Sequence, residues 1–182
     1  NSTADAFKET ILDAAAGTWA SGEDLNTARS AAMGAGAQTA GIVVAGYIPP
    51  GYQPASAITE QYNGSSWTEV GDLNEGTSSG GIAHNSPYAD TVKYGGNGNT
   101  DETETWNNSS WTTVADLNTG RIGGAGYGVS SSSAGYAEGD PVSSDTNETW
   151  NGSSWTEVGD LNSARRYGGG TGTVTAALVI AG

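Results

Sequence analysis

The strongest constraint in this chain is a phrase that returns at a fixed interval. Tyr62-Asn-Gly-Ser-Ser-Trp67, Trp106-Asn-Asn-Ser-Ser-Trp111 and Trp150-Asn-Gly-Ser-Ser-Trp155 are copies of one motif, and each runs on to a Leu-Asn pair, at Leu73-Asn74, Leu117-Asn118 and Leu161-Asn162. Trp67, Trp111 and Trp155 lie 44 residues apart. A diverged fourth copy, Gly17-Thr18-Trp19 through Leu25-Asn26, stands 48 residues before the first and keeps the same step from Trp to Leu. Self-similarity at such a period marks a repeat architecture, in which each unit is one supersecondary motif that buries its apolar face against its neighbours.

Each unit holds four short runs of strand character; in the third they fall at 122–128, 134–139, 146–151 and 154–158. The second run is apolar and β-branched in Gly41-Ile-Val-Val-Ala45 and Ala176-Ala-Leu-Val-Ile180, as a buried strand requires. The third and fourth runs alternate in polarity and are joined by Asn-Gly or Asn-Asn, which tolerate the positive φ of a tight hairpin. Four antiparallel strands in about 44 residues is the size of one propeller blade.

The expected fold is therefore all-β, a four-bladed β-propeller of one domain, with blades at 26–71, 74–115, 118–159 and a composite of 162–182 plus 1–24. Residues 156–182 carry a loop and the first two strands of a unit, and residues 1–19 only the last two. The two ends are thus expected to complete one split blade, which removes the exposed strand edges of an open array. The rival architectures are a fragment of a larger ring and an open β-solenoid, the latter disfavoured by the hairpin turns.

The 29 glycines gain a purpose in such a wheel. The first strand of each blade lines the crowded axis, and Ala31-Ala-Met-Gly-Ala-Gly36, Ser78-Ser-Gly-Gly81, Gly123-Gly-Ala-Gly126 and Gly168-Gly-Gly170 supply small residues there. The indoles belong where the blade widens. Burying one contributes about 5 kcal/mol gross as an upper bound, so Trp19, Trp67, Trp111 and Trp155 are expected to pack between blades. Arg29, Arg121 and Arg165 recur in the loop before a blade and are expected to brace it; the second unit has Thr77 instead.

The formal charge of −14 repels phosphate backbones and anionic headgroups, so nucleic acid is a poor partner. No apolar run approaches the roughly 20 residues that span a bilayer, and none reads as a signal peptide; a soluble protein without membrane insertion is expected. The absence of cysteine excludes disulfides, thiolate metal sites and cysteine nucleophiles. With Asn at residue 1, the chain reads as processed or excised from a longer one, so no address signal is legible.

The glycine pair Gly95-Gly96, the aromatic pair Tyr62 and Trp67, and the recurring Arg29, Arg121 and Arg165 resemble kelch-type propellers. More specifically, Thr18-Trp-Ala-Ser-Gly-Glu-Asp-Leu-Asn-Thr-Ala-Arg29, Gly34-Ala-Gly-Ala-Gln-Thr-Ala40 and Thr59-Glu-Gln-Tyr-Asn-Gly-Ser-Ser-Trp67 resemble the kelch-like repeats of virion proteins of marine tailed phages, often labelled galactose-oxidase-like. That resemblance implies a non-enzymatic virion component, such as a tail fibre, decoration or host-contact module. It also implies that the partners are other virion proteins or a host-surface glycan, and that the domain works as part of a larger, oligomeric assembly. A free extracellular carbohydrate-binding propeller is the alternative, and a hydrolase a distant third. The oxidase chemistry does not carry over, because its copper centre needs a Tyr–Cys cross-link and two His, and this chain has no Cys and one His. No cofactor or metal is expected.

Among single residues, His84 in His84-Asn-Ser-Pro-Tyr88 reads as a loop histidine rather than a base or metal ligand, since no second His or nucleophile accompanies it. The acidic tracts 101–104 and 145–148 offer oxygens to calcium but match no calcium loop. The glycosylation-type triplets at Asn63, Asn107, Asn108 and Asn151 are the hairpin turns of the repeat, while Asn1 and Asn147 lie outside them. The one asymmetry is the first unit's four-residue surplus in Tyr47-Ile-Pro-Pro-Gly-Tyr52-Gln-Pro54. Aromatics on a proline-stiffened loop suit recognition, so Tyr47, Pro49, Pro50 and Tyr52 are the candidate contact with a sugar or a neighbouring subunit.

Overall fold

The alternating and β-branched runs pair into fourteen antiparallel strands, and no helix occurs among the described residues. The computed structural model describes residues 22–51, 53–141, 144–180 and 182. The first sheet holds β1 (Met33–Ala37), β2 (Ala40–Val44), β3 (Thr59–Tyr62) and β4 (Trp67–Glu69). The second holds β5 (Gly81–Ile82), β6 (Thr91–Tyr94), β7 (Thr103–Trp106) and β8 (Trp111–Thr113). The third holds β9 (Ala125–Ser130), β10 (Ser133–Ala137), β11 (Asn147–Trp150) and β12 (Trp155–Glu157). Strands in each follow chain order, the four-strand meander of a propeller blade. A fourth sheet contains β13 (Gly169–Thr173) and β14 (Ala176–Ile180) alone. Trp19 and the strands expected in residues 1–19 lie outside the described residues.

The turn chemistry is the same in each complete sheet. Asn63 Oδ1 accepts from the N–H groups of Ser65 and Ser66 at 2.9 Å, Asn107 from Ser109 and Ser110 at 3.0 Å, and Asn151 from Ser153 and Ser154 at 2.9 and 3.0 Å. The next residue takes the positive φ: Gly64 at 95°, Asn108 at 73° and Gly152 at 94°. These asparagines hold the β3–β4, β7–β8 and β11–β12 hairpins closed.

The innermost strands meet at the backbone. A Cβ on Gly126 of β9 would lie 2.6 Å from the Ile82 carbonyl of β5, and one on Gly170 of β13 would lie 2.3 Å from the Gly126 carbonyl. Side chains of any size are excluded there. Two hydrogen-bond series then tie each sheet to the next. Ala31, Ser79, Gly123 and Tyr167 each sit two residues before an inner strand, and all are left-handed, with φ of 53°, 54°, 67° and 60°. In that conformation Ser79 N donates to Ala31 O at 2.9 Å, Gly123 N to Ser79 O at 2.9 Å, and Tyr167 N to Gly123 O at 2.6 Å. This junction is why the first strand of the third unit begins at Ala125 and not at residue 122.

The second series springs from the end of each second strand, where a left-handed residue (Ala45, Gly95, Glu138) precedes a glycine with φ of 103–129°. Gly46 N donates to Thr77 O at 2.9 Å, Gly96 N to Arg121 O at 3.0 Å, and Gly139 N to Arg165 O at 3.1 Å. Both series run from the first sheet to the fourth. Among the described residues neither includes a bond from the fourth sheet back to the first.

Apolar side chains fill the wedges between sheets. Met33, Ile42, Val44, Leu73, Ile82, Trp106 and Trp111 form one cluster between the first and second sheets; Val92, Tyr94, Leu117, Tyr136, Trp150 and Trp155 form another between the second and third. The indoles of β8 and β12 also reach across: Trp111 Nε1 donates to Thr59 Oγ1 at 3.0 Å and Trp155 Nε1 to Thr103 Oγ1 at 2.9 Å, each in the preceding sheet. The two-stranded fourth sheet is different, leaving Leu178 57% and Ile180 54% exposed.

Candidate functional site

Buried charge draws attention first, because an ion taken from water must be matched. Glu60, Glu104 and Glu148 occupy one position in β3, β7 and β11, and all are fully buried. In each case Oε2 accepts from both N–H groups of the asparagine that opens the unit. Asn26 donates at 2.8 and 2.9 Å, Asn74 at 3.0 and 2.6 Å, Asn118 at 2.8 and 2.7 Å. Arg29 and Arg121 close the clamp at Oε1, with Nη2 of Arg29 2.9 Å from Glu60 and Nη1 of Arg121 2.7 Å from Glu148. These arginines pin the inter-sheet loop onto the blade that follows it. Arg165 stands in the same place before the fourth sheet, where its backbone bridges to Ser144.

The second sheet replaces the missing arginine from within. Lys93, across from Glu104 in the β6–β7 register, is wholly buried, with Nζ 3.3 Å from Glu102 and 3.9 Å from Glu104. Burial raises the Glu104 carboxyl above its ordinary range, against the opposing pull of Asn74 and Lys93. The acidic tracts considered for calcium are thus engaged in these clamps at Glu104 and Glu148. Among the described residues no three acidic or histidine side chains gather as a metal site would need.

The sequence-predicted contact loop lies at the end of the molecule that carries the β2–β3 connections. Tyr47 is half-buried there, not exposed, because its backbone pairs with Ser30 in both directions at 2.9 and 2.8 Å. Ile48, Pro49 and Pro50 are exposed, and Tyr52 lies outside the described residues. Trp67 is half-buried, its Nε1 donating to Glu23 O at 3.1 Å. At the same end Tyr167 stands 65% exposed, its hydroxyl 3.1 Å from Asp140, which also takes Arg166 at 2.8 Å.

The opposite end carries the short hairpin turns and one exception. Where β1–β2, β9–β10 and β13–β14 turn in two residues, β5 and β6 are joined by residues 83–90. This connection reaches beyond its own sheet. His84 Nδ1 lies 2.9 Å from Gly34 O of the first sheet, Asn85 N donates to Gly128 O of the third at 3.0 Å, and the Asn85 amide meets Thr171 Oγ1 of the fourth at 3.3 Å. Two adjacent residues from the second sheet therefore touch the other three. Partial desolvation draws the His84 pKa below its ordinary 6.5, with the Gly34 carbonyl opposing, although the side chain keeps solvent access; in the neutral ring the Gly34 carbonyl makes Nδ1–H the donor.

Beside this bridge, between the first and second sheets, lie two adjoining clefts of about 300 and 400 Å³ that share Ala40 and Tyr88. The first is walled by Gln61, Tyr62, Asn63 and Thr68, the second floored by Gly36 and Ala37 and walled by Asn85, Ser86 and Pro87. Gln61 Nε2 donates to Tyr88 O at 3.4 Å and to Asn108 Oδ1 at 3.1 Å, which fixes the amide across the inter-sheet gap. The sequence reading placed recognition at the opposite end. The signal for this site was the His84-Asn-Ser-Pro-Tyr88 phrase, legible as a turn but not as a bridge. No family model and no curated protein matches the chain, so what the site does is read from its geometry.

Proposed function

We propose that the chain is a closed four-bladed propeller serving as a non-enzymatic interaction scaffold on a virion, as a tail fibre, decoration or host-contact module. The observation that supports the reading best is the bridge: His84 and Asn85 together reach the inner strands of the other three sheets, as four blades around one axis would allow. The repeat assigns residues 162–182 and 1–24 to one composite fourth unit, and outer strands beside β14 would cover Leu178 and Ile180. Closure would extend the two inter-sheet series by bonds from Ala31 N to Tyr167 O and from Gly182 N to Arg29 O, which the described residues do not make.

The role as scaffold is supported by where the polar chemistry goes. The buried carboxylates and their asparagines recur once per complete sheet in one geometry, each with a cation nearby, the signature of architecture and not of a single reactive centre. A rigid wheel of this kind leaves its connections free to differ, and binding residues collect on such connections. The virion assignment rests on the resemblance of the repeat phrases. It is tested by purifying particles through a density gradient and probing each fraction for this chain. Co-migration at fixed stoichiometry is expected; recovery only as free protein would contradict the assignment.

A further inference from the structure

We propose that the paired cleft between the first and second sheets binds a neutral saccharide, with the Tyr88 ring as its platform and Gln61 as a fixed polar contact. The inference rests on the scaffold being a binding module and not on its residence in a particle, so the gradient test above and the sugar test below fail independently. Charge is the first argument. None of the side chains lining either cleft is ionisable as an acid or base near neutrality, in a chain that carries −14 over 182 residues. An uncharged patch on so acidic a protein disfavours a cationic or anionic ligand and suits one whose polarity resides in hydroxyls.

Shape and donor chemistry point the same way. The two adjoining volumes fall within the roughly 300–1,000 Å³ of small-ligand sites, and Gly36, Ala37 and Ala40 of the β1–β2 hairpin line one of them with side chains too small to fill it. Tyr88 is half-buried, packed on one side against the first core cluster, so its phenol is held in place while part of it faces the cleft. A ring so fixed offers an apolar face to the C–H side of a sugar without losing side-chain freedom on binding. Gln61 has both amide hydrogens engaged, by Tyr88 O and Asn108 Oδ1, which leaves Oε1 to accept from a ligand hydroxyl. Thr39 and Thr68 add hydroxyls that both donate and accept.

The test titrates the full chain with maltotriose, cellotriose and chitotriose, read by saturation-transfer NMR and calorimetry. At least one is expected to bind below about 10 mM. For that sugar, Tyr88→Ala weakens binding about tenfold or more, and Gln61→Ala about threefold or more, while Tyr88→Phe stays within about threefold because the ring face is kept. A sialylated or sulfated trisaccharide binds more weakly at low salt, and the gap narrows near 1 M salt, where the Debye length falls to about 3 Å. Because Tyr88 also touches the core, thermal unfolding is measured on each variant, and Gln61→Ala carries the test if Tyr88→Ala does not fold. The proposal is overturned if no neutral trisaccharide binds, if folded Tyr88→Ala or Gln61→Ala binds as the parent does, or if the acidic sugar binds best.

Discussion

The second and third sheets solve one electrostatic problem in two ways. In the third, Arg121 enters from the loop, sets Nη1 2.7 Å from Glu148, donates through Nη2 to Tyr136 O at 2.7 Å, and lies 4.9 Å over the Tyr136 ring. In the second, Thr77 stands where Arg121 does and Lys93 stands where Tyr136 does, so the cation comes from the neighbouring strand. The substitute is poorer. Lys93 Nζ is 3.9 Å from Glu104 Oε1, which is buried without a hydrogen bond. A planar fork matches a carboxylate and a carbonyl together, whereas an ammonium acts as a point charge. The blade thus requires a buried carboxylate to anchor its opening asparagine, and tolerates either source of neutralising charge.

The largest expected effect comes from breaking the better clamp. Arg121→Ala leaves Glu148 buried and unpaired and should cost about 3–5 kcal/mol, seen as a lower urea midpoint; Lys93→Ala should cost less, about 1–3 kcal/mol, because that pair is already loose. Equal losses would break the comparison. Grafting one solution onto the other sharpens it. Thr77→Arg alone sets a second cation beside Lys93 and destabilises by about 1–2 kcal/mol, whereas Thr77→Arg with Lys93→Tyr should return to within about 1 kcal/mol of the parent.

Two smaller effects depend on pH, with opposite signs. The folded pKa of Glu104 is raised, first by burial, so its contribution is fully present below the ordinary 4.5 and is lost as pH rises through the folded value. Stability of the parent relative to Glu104→Gln should therefore improve on acidification. The folded pKa of His84 is lowered, again first by burial. Its contribution is complete above 6.5 and is lost as pH falls through the depressed value. His84→Ala should cost at most about 0.5 kcal/mol at pH 8, because the bond is solvent-exposed, with the gap closing in acid; a gap that widens in acid would contradict the neutral, hydrogen-bonded ring.

Much of the fold was legible because the repeat is written in residues with one purpose each. Asn-x-Ser-Ser closes a hairpin, the following Trp reaches the preceding sheet, and the glycines mark where backbones meet. The Lys93–Glu104 clamp was not legible, since Thr77 announces a missing cation without saying where another comes from; only the β6–β7 register places Lys93 opposite Glu104. The bridge between the sheets was hidden for a related reason. The second and third units share one period, so a residue count cannot see that His84-Asn-Ser-Pro shortens β5 to two residues and frees the chain to reach the other three sheets. At Tyr47 the insertion was legible but the backbone pair with Ser30 was not, and the residue is half-buried.

Closure of the wheel is the claim on which the rest turns, and hydrogen exchange at β14 reads it most directly. The amides of Ala176–Ile180 that face away from β13 should be protected to the same degree as those of β10, as the closed form proposed above requires, and deleting residues 1–19 should abolish that protection. Exchange of these amides at the rate of an unpaired edge in the full chain would contradict a closed ring.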